Sequence, residues 1–156
     1  MPDQTTLAAL LTEAGAVFEI VDVGPCHTAA EAARALCVPL GHVVKSLVCI
    51  ADGAPVVALV TGDRTLSYEG LRRAAGADDV SLAPRRVVKS ATGYDVGAVA
   101  PLGHPVQLAL YADLAVKDLP VAFFGAGSHR HMLRLQPPDL ERLCRVEWAD
   151  LTTAPS

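Results

Sequence analysis

The stretch VVKSLVCIADGAPVVALVT, residues 43–61, carries the most direct information about the fold. Two runs of apolar and β-branched residues, 43–51 and 55–61, lie on either side of the dipeptide Asp52-Gly53. This dipeptide is a strong hairpin signal, because both of its residues tolerate the positive φ that a tight turn requires. The stretch therefore predicts two antiparallel strands that are neighbours in the sheet.

Helices and strands are predicted on both sides of this hairpin. The first helix places Leu7, Leu10 and Leu11 on one face, and Thr28 and Glu31 have the spacing of a capping box that begins the second. Helices are predicted over residues 5–14, 29–37, 67–76, 84–89 and 137–144, and further strands over residues 17–23, 80–83, 106–111, 121–124 and 131–135, with a short strand after residue 145. This mixture predicts one α+β domain, residues 1–156, with a mixed, curved or barrel-like β-sheet surrounded by helices.

Composition narrows the class of protein. The chain has 156 residues, the usual size of one domain, and 51% of them are hydrophobic while only 4% are aromatic. We therefore expect a sizeable core built mainly from Val, Leu and Ala. The formal net charge of −4 argues against binding of long nucleic acids through many phosphates, so no DNA partner is expected. Contact with a short nucleic-acid end remains compatible with this charge.

The cysteines and the N-terminal residues indicate the cellular compartment to expect. Cys26, Cys37, Cys49 and Cys144 include no C-x-x-C pair and no disulfide framework, so neither a structural zinc nor an oxidising compartment is indicated. The N-terminus carries acidic residues and has no basic segment followed by an apolar run, which argues against a signal peptide. No apolar run approaches 18 residues, so no membrane contact is expected. These features favour the cytoplasm.

A second unusual stretch is SATGYDVGAVAPLGHP, residues 90–105, with three glycines and two prolines. Its segment 97–101 reads G-x-x-x-P, and a stiff loop of this type can direct backbone N–H and C=O groups toward a small ligand. The stretch matches neither a phosphate-binding G-x-x-x-x-G-K-[ST] loop nor G-x-G-x-x-G. An ordinary structural loop between two elements is the competing interpretation.

Lys45 is unusual for its apolar surroundings. Strand alternation places it on one face with Val43, Leu47 and Cys49, and neither face of this strand is clearly polar. A lysine in such a setting favours an anionic partner. The alternative is a lysine at a strand end whose ammonium reaches water.

Other candidate groups carry weaker signals. The pair His129-x-His131 could supply two metal ligands, but no third ligand is evident, so no metal site is expected. No G-x-S-x-G motif is present and nothing marks a Cys/His nucleophile pair. The basic residues of 72–73 and of 85–89 are typical of solvated helix faces and could also contact a few phosphates.

Three blocks together resemble a known family, the YbaK/EbsC-type proteins, which are free-standing relatives of the editing domain of bacterial prolyl-tRNA synthetases. The blocks are VVKSLV at 43–48, TGYDVGAVAPLG at 92–103, and FGAGSH at 124–129 leading into LRL at 133–135. The T-G-Y-x-x-G-x-x-x-P-x-G block is specific, and a lysine upstream of it at the right distance strengthens the match. The resemblance runs from about residue 7 to about residue 143.

The resemblance implies a fold, an activity and a set of site residues. The family fold is a mixed sheet curved into a barrel with helices around it, and its members hydrolyse the ester between a wrong amino acid and the terminal ribose of a tRNA. Lys45 would hold the 3′-terminal phosphate, and Gly97 and Ala98 would position the aminoacyl group through backbone atoms. The remaining residues implied to bind or border the substrate are Thr92, Gly93, Tyr94, Pro101, Gly125, Gly127 and His129.

The sequence thus predicts a trans-editing aminoacyl-tRNA deacylase, with tRNA(Pro) as the candidate tRNA and prolyl-tRNA synthetase as a candidate partner. An aminoacyl ester is already activated, so hydrolysis assisted by the substrate or by water suffices, and no cofactor is expected. Ala98, Asp95 and the 127–130 turn depart from the family pattern, which leaves the removed amino acid open. Two alternatives are a non-catalytic module that binds a tRNA 3′ end, a nucleotide or an aminoacyl derivative, and a small hydrolase of other activated esters.

Overall fold

The predicted hairpin lies inside the largest sheet. The computed structural model describes residues 4–153. Within it, strands β2 (Val44–Ala51) and β3 (Ala54–Thr61) pair antiparallel along their whole length. Asp52 and Gly53 form the turn with φ values of 48° and 84°, as the dipeptide predicts.

Helices and strands alternate along the rest of the chain. The α-helices are α1 (Gln4–Glu13), α2 (Ala29–Leu36), α3 (Tyr68–Ala75), α4 (Arg85–Thr92), α5 (Leu114–Lys117) and α6 (Pro137–Leu143), with a 3-10 helix at Leu40–His42. The remaining strands are β1 (Phe18–Asp22), β4 (Thr65–Leu66), β5 (Val80–Leu82), β6 (Ala109–Asp113), β7 (Ala122–Gly125), β8 (His131–Leu135), β9 (Val146–Ala149) and β10 (Thr152–Thr153). The capping box is confirmed, since Thr28 Oγ1 accepts a hydrogen bond from the N–H of Glu31 at 3.1 Å.

The strands form three sheets. The largest has the order β5–β2–β3–β6–β9, in which β6 pairs parallel with both β3 and β9. A second sheet has the order β1–β8–β7 and is antiparallel, and β4 pairs with β10. An isolated parallel bridge between Val43 and Phe123 joins the two larger sheets. The α+β class with a mixed sheet is confirmed, and within residues 4–153 the strands do not close into a barrel.

Two apolar clusters lie on opposite faces of the β2–β3 hairpin. Val44 and Val48 pack with Phe124 in the larger cluster, which also receives Leu7 and Leu11 of α1. The smaller cluster contains Cys49, with Leu47 packed against it, so the predicted face of Lys45 is the one toward the smaller cluster.

Some predicted elements differ from the observed ones. Leu10 is 38% exposed, because only positions four apart on α1 face the core. The strand predicted over 106–111 is shifted to Ala109–Asp113, so that it is in register with β3 and β9. Helix α5 was not predicted, because four residues are too few to show a helical period.

Asp113 fixes the end of the β6 strand to two other segments. Its carboxylate is 2% exposed and accepts hydrogen bonds from the N–H groups of Ala115, at 3.0 Å, and Leu151, at 2.8 Å. The substitution Asp113→Ala leaves both donors without this acceptor. We expect it to lower the free energy of unfolding by about 2–4 kcal/mol in urea titrations. Asp118→Ala, at an exposed position, serves as the control and should change it by less than about 0.5 kcal/mol.

Candidate functional site

A cavity lies where the outer edge of β2 is uncovered. On that edge, β5 pairs with β2 only over residues 49–51, and the bridge to β7 lies at Val43. No described strand pairs with residues 44–48 from this side. A cavity of about 420 Å³ occupies the gap. Its walls come from β2, from residues 23–32, from residues 82–88, from the 96–99 loop and from residues 125–132.

The hydrogen bonds of β2 show which peptide groups face this gap. The carbonyl of Val48 accepts from the N–H of Ala83, and the N–H of Asp52 donates to Asp79, both on the outer side. The carbonyl of Val43 accepts from Gly62 on the opposite, β3 side. Because peptide groups alternate along a strand, the N–H and C=O of Ser46 point toward the cavity. The edge can therefore donate to and accept from a ligand through backbone atoms.

The glycine-rich loop forms a second wall by a tight turn. Gly97 has a φ of 85°, and the N–H of Ala98 donates to the carbonyl of Asp95 at 3.0 Å. The carbonyl of Ala98 accepts from the N–H of Gly127, also at 3.0 Å. Gly97 and Val99 line the cavity, whereas the Ala98 side chain is buried behind it. The loop is thus held by backbone hydrogen bonds at both ends.

Gly125 permits this loop to approach the end of β7. A Cβ on Gly125 would overlap the carbonyl oxygen of Val99 and would lie 3.2 Å from the carbonyl carbon of Ala98. Both neighbours are backbone atoms and cannot move aside without displacing the loop. The glycine at this position is therefore required by packing and not by its own φ.

Thr92, Gly93 and Tyr94 do not line the cavity but fix the segment that leads into the loop. Thr92 is fully buried, and its hydroxyl donates to Val88 O at 2.6 Å and accepts from the Tyr94 N–H at 3.1 Å. Gly93 ends α4 with a φ of 80°. The Tyr94 hydroxyl donates to Leu102 O at 2.7 Å, and burial raises the pKa of this tyrosine to about 12. This hydrogen bond connects the two ends of the glycine-rich stretch.

His129 covers the loop from the cavity side. Its Nε2 lies 2.8 Å from the carbonyl oxygen of Val96, and the same nitrogen would be 3.3 Å from a Cβ on Gly97. Its ring centroid lies 5.0 Å from that of His27, which precedes α2. The two imidazoles therefore line one side of the cavity together.

Lys45 lines the cavity, and its ammonium already makes one hydrogen bond. Nζ donates to the carbonyl oxygen of Arg64 at 2.9 Å. Within residues 4–153, no carboxylate lies within ion-pair distance of this ammonium. Since an ammonium has three donors, two remain for a ligand. The anionic partner expected from the sequence is thus not another side chain of the described segment.

The predicted residues fall into two groups. Lys45, Gly97, Gly125 and His129 line the cavity. The others are not among the lining residues: Thr92, Gly93, Tyr94, Ala98, Pro101 and Gly127.

Several cavity residues were missed by the sequence interpretation. His27 and Thr28 enter from the start of α2, and Ser128 and His131 enter from the turn between β7 and β8. The sequence interpretation weighed His131 only with His129 as a metal-ligand pair, and Ser128, three positions earlier, carried no motif signal. No group of three metal-ligating side chains is found within residues 4–153. In the same segment, no helix has the length and apolar character needed to cross a membrane.

Taken together, these features define a small α+β domain whose cavity has backbone groups and Lys45 in its wall. Comparisons with known proteins then identify its family. The chain belongs to the aminoacyl-tRNA editing domain family, whose profile matches residues 23–143.

Relatives and solved structures agree with this assignment. The proline--tRNA ligase of Nitratidesulfovibrio vulgaris (strain Hildenborough) is 36% identical over 139 residues, covering 88% of this chain and 24% of that protein. The corresponding enzyme of Maridesulfovibrio salexigens is 34% identical over 143 residues, covering 91% and 24%. A solved structure described as a candidate trans-editing enzyme for prolyl tRNA synthetase superposes with a TM-score of 0.90 at 28% identity, covering 99% of each chain. The chain spans about a quarter of the length of each of these two ligases.

The packing of Gly125 leads to a stability prediction. The substitution Gly125→Ala pushes a methyl group into the Val99 carbonyl, so we expect the free energy of unfolding to fall by about 2–3 kcal/mol in urea titrations. Gly41→Ala is the matched control. The nearest atoms to its Cβ would be those of the Asp63 carboxylate, the movable end of a flexible side chain. An equal loss in both variants would contradict the proposed loop contact.

Tyr94 leads to a prediction for alkaline pH. Its pKa is raised from the ordinary value of 10 to about 12, so the protonated form is favoured in the folded state. The resulting stabilisation is complete below pH 10 and is lost as the pH rises toward about 12. We expect Tyr94→Phe to lower the free energy of unfolding by about 1 kcal/mol at pH 8 and to reduce its decline between pH 10 and 12. A decline of unchanged slope in the variant would argue against this role.

Proposed function

We propose that the protein is a trans-editing deacylase that hydrolyses the ester of a mischarged tRNA, with tRNA(Pro) as the tRNA and the cytoplasm as the compartment. The observation that carries the proposal is the cavity between the open edge of β2 and the Gly97 loop, in a chain of the editing family. The solved relative described as a candidate trans-editing enzyme, which covers 99% of this chain, supports a free-standing domain of this kind.

The cavity suits an ester that is already activated. Peptide groups of Ser46 and of the Gly97 loop can orient the aminoacyl group without side-chain adaptation, because both segments are fixed by neighbouring hydrogen bonds. Such pre-organised dipoles stabilise the charge that develops on the carbonyl oxygen during attack. The buried residues of the wall include Ala32, Val48 and Val88, which favours an uncharged aminoacyl side chain.

Lys45 is the proposed anchor for the 3′-terminal phosphate. Lys45 lines the cavity and its ammonium has donors to spare, which a phosphate of the bound 3′ end would take. One such contact fixes the end of the tRNA without a large basic surface, which agrees with the net charge of −4. An unpaired single-stranded end is also the part of a tRNA that proteins bind most readily.

Helix α4 offers a further contact for the tRNA backbone. Arg85 and Arg86 are exposed, and neither forms an ion pair with a carboxylate of the described segment. They lie on the helix whose Val88 lines the cavity, next to Ala83 on the same wall. These two guanidinium groups would contact acceptor-stem phosphates once the 3′ end is in the cavity.

The central experiment measures loss of labelled amino acid from tRNA(Pro) charged with alanine, cysteine, serine or proline. We expect fast loss of one non-cognate amino acid. We expect Lys45→Ala to lower kcat/KM for it by roughly 10–100-fold, the effect of one charge-assisted hydrogen bond to phosphate. Lys117→Ala, at an exposed position of α5, is the control and should behave as the wild type.

The outcomes separate the competing functions. Ester lifetimes equal to those without enzyme, together with saturable binding of tRNA, would favour a binding module. Equal activity on a short aminoacyl ester without phosphate, undiminished in Lys45→Ala, would favour a hydrolase of other activated esters. Full deacylation by Lys45→Ala would remove the anchor role.

A further inference from the structure

Two imidazole rings form an open aromatic surface in the cavity. The ring centroids of His27 and His129 lie 5.0 Å apart, with an angle of 44° between the ring planes, and both residues line the cavity. His27 is exposed and His129 is half-buried, so ring surface remains available to a molecule that enters. Neither ring has a part in holding the phosphate or the ester in the proposed function.

Hydrogen bonds hold this surface in place. His129 Nε2 lies 2.8 Å from the carbonyl oxygen of Val96, and because a carbonyl only accepts, this nitrogen carries a proton and donates it. The N–H of Cys26 donates to the carbonyl of His129 at 2.7 Å, and the N–H of His27 donates to Glu31 Oε1 at 3.2 Å. The segments that carry the two rings are therefore pre-organised, which lowers the cost of ordering them when a ligand binds.

Val96 and Gly97 connect the aromatic surface to the loop. Val96 is 40% exposed and lines the same cavity, next to the ring that its carbonyl binds. The His129 ring also lies against Gly97, since its Nε2 would be 3.3 Å from a Cβ at that position. The aromatic surface thus borders the loop that orients the ester in the proposed function.

The chemistry of this surface fits a nucleobase. Unpaired bases stack on aromatic side chains, histidine among them, and stacking requires no charge on either partner. The buried apolar residues of the cavity favour the aminoacyl side chain, which leaves the exposed aromatic surface for another part of the ligand. In a charged tRNA, the phosphate, the ester and the adenine base of the last nucleotide are attached to one ribose. A site that holds the first two therefore has the base close by.

We propose that His27 and His129, with Val96 beside them, bind the adenine base of the terminal nucleotide by stacking. This inference rests on the proposed function and adds a third contact to the same ligand. Lys45 binds the phosphate, the Gly97 loop orients the ester, and the imidazoles bind the base. Three contacts around one ribose fix its orientation, so that the ester has a single position relative to the loop.

The test uses adenosine 5′-monophosphate, which is the last nucleotide of a tRNA, and ribose 5-phosphate, which is the same molecule without its base. Their affinities are measured by NMR titration. We expect the wild type to bind the nucleotide roughly tenfold more tightly, the effect of one stacked base. We expect His27→Ala to remove most of this difference by weakening the nucleotide alone, and His27→Phe, which keeps an aromatic ring, to restore it. His42→Ala, at a histidine outside the cavity lining, is the control and should behave as the wild type.

The outcomes distinguish this inference from the proposed function. Equal affinity of the wild type for the two ligands, or binding of neither at millimolar concentration, overturns the base contact. A difference that persists in His27→Ala also overturns it. Deacylation of a mischarged tRNA with the same kcat/KM in wild type and His27→Ala overturns the base contact while the proposed function stands. A base-dependent affinity that is lost in His27→Ala, in a protein that deacylates no charged tRNA, supports the base contact and overturns the proposed function instead.

Discussion

The contact between Gly125 and the carbonyl of Val99 is the constraint on which the site depends. It lets two backbone segments meet without a side chain between them, and the Gly127–Ala98 hydrogen bond follows directly from that proximity. The Gly97 loop gains a fixed position relative to β7, and the turn that carries Ser128 and His129 is fixed with it. Two sequence blocks separated by about twenty residues therefore function as one rigid wall.

The gap along β2 explains why a small domain with a continuous core also contains a cavity. Neither β5 nor β7 covers residues 44–48, so backbone donors and acceptors remain available in a depression whose walls are mainly apolar. Recognition by such groups requires few charged side chains. This agrees with a chain that is acidic overall and nevertheless belongs to a family of domains that edit aminoacyl-tRNA.

Most helices and strands were predictable because short stretches of sequence specify their turns and ends. Asp52 and Gly53 specify the hairpin through their own backbone preferences, and Thr28 and Glu31 specify the start of α2 within one turn. The bounds of β6 could not be read this way, since its ends are set by pairing with β3 and β9. The sequence blocks indicated which segments surround the site. The resemblance did not show which of their residues line the cavity and which lie outside its lining.

Contacts between residues far apart in the sequence explain why some cavity residues could not be predicted. Asp22 and His131 are 109 positions apart and meet only because β1 and β8 pair in one register. The contribution of the segment before α2 likewise arises from a distant contact, since His27 lies beside His129 and no sequence motif links the two.

An uncovered strand edge is ordinarily the place where a second polypeptide adds a strand, and this is a common route to aggregation. In this fold, the uncovered part of β2 is short and lies at the base of a depression with walls on several sides. An extended chain from another molecule cannot lie flat along it, whereas a compact ligand can enter. The walls that would enclose a ligand therefore also restrict the approach of a second chain to this edge.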